Sequence, residues 1–137
     1  MAIPSVGGGY QIGDGNLNEV KVMSQATPAT ATSTATLTTA QIITGIILGS
    51  PGSSAATYTL PTVALLEATL VNCKVGMAFD LSVVNIDGSG SGIITLAVGT
   101  GFTAVGLLTV VATAGTACRW RLYKTGDGAW TICRIAG

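Results

Sequence analysis

From Gly88 to Cys118 the chain carries no charged residue, and this stretch restricts the available folds more than any other. Its centre, IITLAVGTGFTAVGLLTVVA (93–112), has about the twenty residues a membrane-spanning helix needs. Two readings compete. A hydropathy window selects the segment as a span. Its richness in Ile, Val and Thr, with Gly99, Gly101 and Gly106 inside it, favours short strands broken by turns. The upstream flank also lacks the Trp and Tyr that sit at a membrane boundary. The strand reading is the one adopted, and no membrane is expected.

Charge is scarce throughout. Asp, Glu, Lys and Arg make up 9% of the 137 residues, against roughly 25% in ordinary soluble domains. A surface this poor in charge suits either a membrane or an assembly that covers it with other chains. Basic and acidic residues balance at six each, so no excess draws the chain to nucleic acid. Arg119, Arg121, Lys124 and Arg134 crowd into the last fifth, accompanied there only by Asp127. They read as a local basic patch or as charges solvating the outer face of a hairpin. Met1 to Gly9 has neither a basic start nor an apolar run, so no secretory signal is expected.

Local patterns supply the elements. Thr30, Thr32, Thr34, Thr36 and Thr38 alternate with small or apolar residues, a two-residue period that puts threonine on one face of a strand; a disordered Thr/Ala linker is the competing reading. Thr38 and Gln41 match a capping box, with Leu37 and Ile42 placed as a staple and Gly45 as the stop, so one short helix is expected over Thr39 to Thr44. GIILGSP and ATYTLP read as strands. TVALLEATL reads as a second short helix with Val63, Leu66 and Leu70 along one side. In VGMAFDLSVVNI, Val75, Met77, Phe79, Leu81 and Val83 share a face. GIITLAV and LLTVVAT follow as strands, separated by GTGFTAVG. The chain closes on a hairpin, ACRWRLYKTGDGAWTICRIAG. A two-residue loop would set Arg121 opposite Arg134, an unfavourable like-charge pair. A three-residue loop, Gly126 to Gly128 with Gly128 left-handed, pairs Leu122 with Ile132 and Trp120 with Arg134. It also puts Cys118 and Cys133 on opposite faces. The sum is an all-β domain: one small antiparallel β-sandwich or jelly-roll-like domain over 19–137, with one or two short helices and an extended N-terminal arm over 1–18.

The chain is poor in reactive groups. It has no histidine, which removes the commonest general base and metal ligand. Cys73, Cys118 and Cys133 lack CxxC spacing and read as small buried thiols, neither a disulfide framework nor a zinc site. Asp80 with Glu67 is the one acid/base pairing considered, and Asp80 fits better on the polar face of its strand. Gly99, Gly101 and Ala104 match a dinucleotide fingerprint, but the β-like VGLLTVVAT follows where a helix is required. DGSGSG begins like a calcium loop, yet Ser89 and Ser91 replace its acids and Val98 stands where the bidentate glutamate belongs. GDGN, which holds Asp14 and Asn16, reads as a turn before it reads as an ion site. Trp120, Trp130 and Tyr123 could stack on sugars, though core packing accounts for them equally. No enzyme, cofactor or metal is expected.

Six motifs in order, GDGNLNEV, LTTAQIITGIILGSP, ATYTLPT, FDLSVVN, GTGFT and RLYKTGDGAWTICRI, span most of the chain. In this order the chain resembles small tailed-bacteriophage virion proteins of the head decoration, or capsid cement, type. Related domains occur in head fibres and tail-associated proteins, the alternative role. The resemblance implies a β-rich homotrimer on the capsid exterior that binds neighbouring subunits of the major capsid protein, with no catalytic residues. The opening segment fits such a role. A Gly-rich arm has too few apolar groups to offset its own ordering cost. Laid across a capsid or neighbouring subunit, it would be anchored by Ile3, Val6, Tyr10 and Ile12. Asp14 and Asn16 complete the partner-binding set, and a strand edge on the partner would satisfy its backbone.

Overall fold

A computed structural model describes residues 22–137. Ten strands and two short helices follow one another as β1 (Ala29–Ala31), β2 (Ala35–Thr36), α1 (Thr39–Ile42), β3 (Ile46–Gly49), β4 (Ala56–Thr59), α2 (Val63–Thr69), β5 (Ala78–Asn85), β6 (Ile94–Ala97), β7 (Phe102–Val105), β8 (Thr109–Val110), β9 (Thr116–Gly126) and β10 (Ala129–Ala136). They form a six-stranded sheet, ordered β1-β3-β5-β9-β10-β7, and a four-stranded sheet, ordered β2-β4-β6-β8. One hydrophobic core takes side chains from both, among them Ile47, Leu81, Val83 and Trp120 from the first sheet and Tyr58, Ile94 and Leu96 from the second.

The strand-rich reading holds, and its antiparallel form does not. Of the eight pairings among the described residues, five are parallel and three antiparallel. The cause lies in the path of the chain. From β1 to β8, successive strands alternate between the sheets, so β1, β3 and β5 stack in parallel, as do β2, β4 and β6. Parallel neighbours cannot be joined by a tight hairpin; here each connection runs through the opposite sheet, and α1 and α2 carry it back. The result is a two-sheet coil, closed on one side by the antiparallel β5-β9-β10 array.

Two sequence expectations are corrected by this path. The alternating threonine segment is not one strand. It supplies β1 to one sheet and β2 to the other, with the crossing over residues 32–34. GTGFTAVG is not merely a connection either, because it contains β7, which pairs in parallel with β10 at the sheet edge. Val75 and Met77 also leave the face assigned to them. Strand β5 begins at Ala78, and both side chains are exposed in the preceding turn.

Local chemistry shapes the rest as expected. Thr38 caps α1, its hydroxyl accepting from the Gln41 N–H at 3.2 Å while the Thr38 N–H donates to Gln41 Oε1 at 2.8 Å. Leu37 and Ile42 are buried at the two ends of the staple. Thr62 caps α2, which buries Val63 and Leu66. The β9–β10 register pairs Leu122 with Ile132 and Trp120 with Arg134. The expected three-residue loop is not formed: the turn is two residues, Asp127 and Gly128 (φ +68°), because Gly126 pairs with Ala129, and a bulge at Thr125 supplies the extra residue that keeps the register. No helix among the described residues is long and apolar enough to cross a membrane; residues 93–112 fold as β6, β7 and β8 with their turns.

Candidate functional site

The partner-binding residues Ile3, Val6, Tyr10, Ile12, Asp14 and Asn16 lie outside the described residues. Within the fold, Asp80 and Glu67 are each engaged in structural bonds. Asp80 accepts from Arg121 Nε at 2.7 Å and Nη2 at 3.1 Å across the β5–β9 pair. Glu67 sits elsewhere, accepting from the Gly128 N–H at 3.2 Å and Trp130 Nε1 at 3.1 Å, with Lys124 Nζ at 3.2 Å. Each carboxylate has its own cation, so the two do not form a shared acid/base site. Burial raises the Glu67 carboxyl, but hydrogen bonds from Trp130, Lys124 and Gly128 outweigh it and hold the group below its ordinary value. Asp80 is lowered chiefly by its bond from Arg121. Lys124 is raised chiefly by its bond to Glu67. It also donates to the Cys73 carbonyl at 3.2 Å, which pins the segment after α2.

Three of the four residues of the basic cluster are taken up in the same way, and Arg119 is exposed. Arg121 and Lys124 are paired, and Arg134 donates to the carbonyls of Thr109 and Gly137. No stacking platform forms from Trp120 and Trp130, both of which are buried. The Trp120 Nε1–H ends on the Leu107 carbonyl at 3.0 Å. All three cysteines are free; Cys118 is buried among core residues, while Cys133 pairs in register with outward Arg121. Among the described residues no cluster of His, Cys, Asp or Glu could hold a metal ion. The glycines of GTGFT answer to packing: a Cβ at Gly99 would stand 2.4 Å from the Pro61 carbonyl oxygen.

What the fold builds instead is an open apolar groove of about 500 Å³ between the end of α1, the end of α2 and the start of β5. Partly buried Leu70, Cys73 and Phe79 pack against the core at its base. The Phe79 ring meets Trp130 edge-on, centroids 6.1 Å apart. Ile43, Val71 and Met77 line it while 45, 75 and 53% exposed. The segment that presents them is held from behind: the Gly76 N–H donates to the Lys124 carbonyl and the Lys124 N–H to the Met77 carbonyl. Gly76 takes φ +91°, a conformation that favours glycine. Sequence reasoning missed this groove by extending the β5 alternation upstream. The signal available was Gly76 itself, which interrupts the run between Val75 and Met77.

A second surface is the outer face of the four-stranded sheet. Thr57, Thr59, Thr95 and Thr109 alternate there with buried Ala56, Tyr58, Ile94 and Val110. Thr36 stands beside Thr59, and Thr57 beside Thr95, which pairs with Thr109. This face carries hydroxyls and methyls and no charge. No protein-family model matches the chain, and no characterised protein or solved structure matches it.

Proposed function

We propose that this chain is a structural virion protein: a capsid decoration or cement protein that binds the outside of a phage head and stabilises contacts between major capsid subunits. The observation that carries the reading is the surface. A chain with 9% charged residues presents apolar side chains at Ile43, Val71, Val75 and Met77 on one side and at Val105, Leu107 and Val111 near the β7 and β8 edges. Surfaces of this kind are normally covered by other chains. The partner follows from the resemblance that the ordered motifs bear to small head-decoration proteins.

The physical role is mass action. A protein bound at many identical junctions stabilises the assembled shell over its separated parts, and linkage of several copies multiplies the effect. In this reading residues 1–18 reach a neighbouring subunit. Because the exposed faces are largely uncharged, binding should change little between low and high salt. The test strips the protein from purified capsids, restores it, and heats both samples. Capsids carrying it should keep their contents at temperatures that open the stripped ones. Equal survival would refute the cement role.

A further inference from the structure

Among the described residues nothing fills the groove, and the start of the described chain lies at its lip. Gln25 Nε2 donates to the Thr44 carbonyl at 2.6 Å, between Ile43 and Gly45, both of which line the groove. The chain leading into that bond does not enter it, since Val22 and Met23 are 78 and 79% exposed. The apolar residues nearest the groove in sequence therefore turn away from it. Upstream in the sequence stand Val20 and Leu17 and then, beyond the GDGN stretch, the expected anchors Ile12, Tyr10, Val6 and Ile3. Eighteen extended residues span up to about 60 Å, more than the roughly 35 Å width of a domain this size. A segment leaving the lip in this way can reach the next copy.

We propose that the groove of each copy receives residues 1–18 of a second copy of this chain, with Tyr10 and Ile12 set against Leu70, Met77 and Phe79. This rests on the reading of residues 1–18 as a reaching arm, and names its receptor. The exchange is head-to-tail, one arm into one groove. Contacts of that type close into rings when the rotation permits, and a three-membered ring is the trimer expected for the function. Apolar burial supplies the attraction. The exposed rim formed by Ile43 and Val71 would then be covered in the assembly.

The test uses full-length chains and no capsid. One variant carries Tyr10→Asp and Ile12→Asp; the other carries Ile43→Glu and Val71→Glu, both at exposed positions that the fold does not need. Light scattering should give the unaltered chain a mass that is a multiple of 13.6 kDa, and each variant alone the mass of one chain. A mixture of the two variants should form a dimer and nothing larger, because only one arm and one groove remain intact per pair. Thiol labelling of Cys73, which lines the groove, gives a second readout with the groove unaltered. It should run faster by about tenfold in the Tyr10/Ile12 variant, as for a site occupied about nine-tenths of the time in the unaltered chain. A single-chain mass for the unaltered protein with Cys73 protected would mean that the arm folds back on its own groove, and would overturn the exchange. Equal labelling in both proteins would overturn the arm as occupant. Rings that form normally yet fail to protect capsids would sink the cement reading and leave the exchange standing.

Discussion

The β9–β10 hairpin and the β1–β2 end of the coil are built from the same two-residue alternation, yet they hold their places by different means. The hairpin has strands of 11 and 8 residues, and β9 is paired on both sides. Its turn is fastened to α2 through Glu67, which accepts from Gly128 and Trp130. The coil end has strands of 3 and 2 residues, each at the edge of its sheet. Short edge strands limit unwanted pairing, but they also open at low cost. The hairpin is thus the fixed side of the molecule, and the coil end is the side whose stability depends on what covers it.

The largest effect that can test this contrast is expected from Trp120→Ala. Trp120 is fully buried at the centre of β9, with its indole N–H bonded, so truncation should cost about 3–5 kcal/mol. Thr36→Ala, on the exposed face of β2, should stay within about 0.5 kcal/mol. Urea unfolding of both variants measures the two values. Comparable losses would mean that the two regions share the load equally.

Asn85→Ala strikes where the two regions join. Asn85 is completely buried at the end of β5. Its amide donates to the carbonyls of Gly92 at 2.9 Å and Val111 at 3.0 Å, and its oxygen accepts from the Gly88 N–H at 2.7 Å. Truncation orphans the Gly92 carbonyl and the Gly88 N–H and leaves the Val111 carbonyl only the Thr116 hydroxyl, an expected loss of roughly 2–4 kcal/mol. Amide exchange should accelerate first around Gly88. Asn85→Asp should be nearly as damaging, since a carboxylate can accept from Gly88 but cannot donate to Gly92 or Val111. Normal exchange around Gly88 in both variants would show that the side chain is not the strut it resembles.

The same contrast explains what the sequence made legible. The hairpin register follows from pairs a few residues apart, so charge repulsion between Arg121 and Arg134 is enough to reject the wrong alignment; the two-residue loop with its Thr125 bulge and the second shift, between Arg134 and Ala136, are not legible that way. The capping box at Thr38 and Gln41 is equally local. The coil is not. Its registers join residues far apart, and the offset from Ala29 to Ile47 is half that from Ile47 to Val83, so no fixed repeat marks it. Short strands with Gly-rich turns predict antiparallel order, and helices as short as α1 and α2 do not mark themselves as crossovers. Strand β7 was lost between the turn glycines that bracket it. The groove was hidden because Val75 and Met77 keep step with Phe79, and alternation alone does not say where a strand begins.

A smaller loss is expected at the coil end itself. Thr38→Ala removes the hydroxyl that accepts from Gln41 and so loosens α1, the element that carries β2 back to β3. The cost should be about 1 kcal/mol, with faster exchange in α1 and none of the change seen in β9. If exchange rose equally in both regions, the coil end would be coupled to the hairpin and could not open by itself.

The smallest effect concerns the fastening of the hairpin turn, and it is read through pH. The folded Glu67 carboxyl lies below its ordinary value of 4.5. A carboxyl lowered by folding contributes stability that is fully present above its unfolded value and is lost as pH falls through its folded one. Asp80 and Asp87 are lowered as well, so the protein should lose stability through acid pH by several steps. Glu67→Gln should remove one of them. A glutamine oxygen can still accept from Gly128 and Trp130, but it offers Lys124 no charge. Stability above pH 4.5 should therefore fall slightly, and the slope below it should flatten. Unfolding curves taken across that range decide the matter. An unchanged slope would mean that folding does not favour the charged form of Glu67, and that neither the ion pair with Lys124 nor the hydrogen bonds to the carboxylate depend on its charge to hold the fixed side of the molecule.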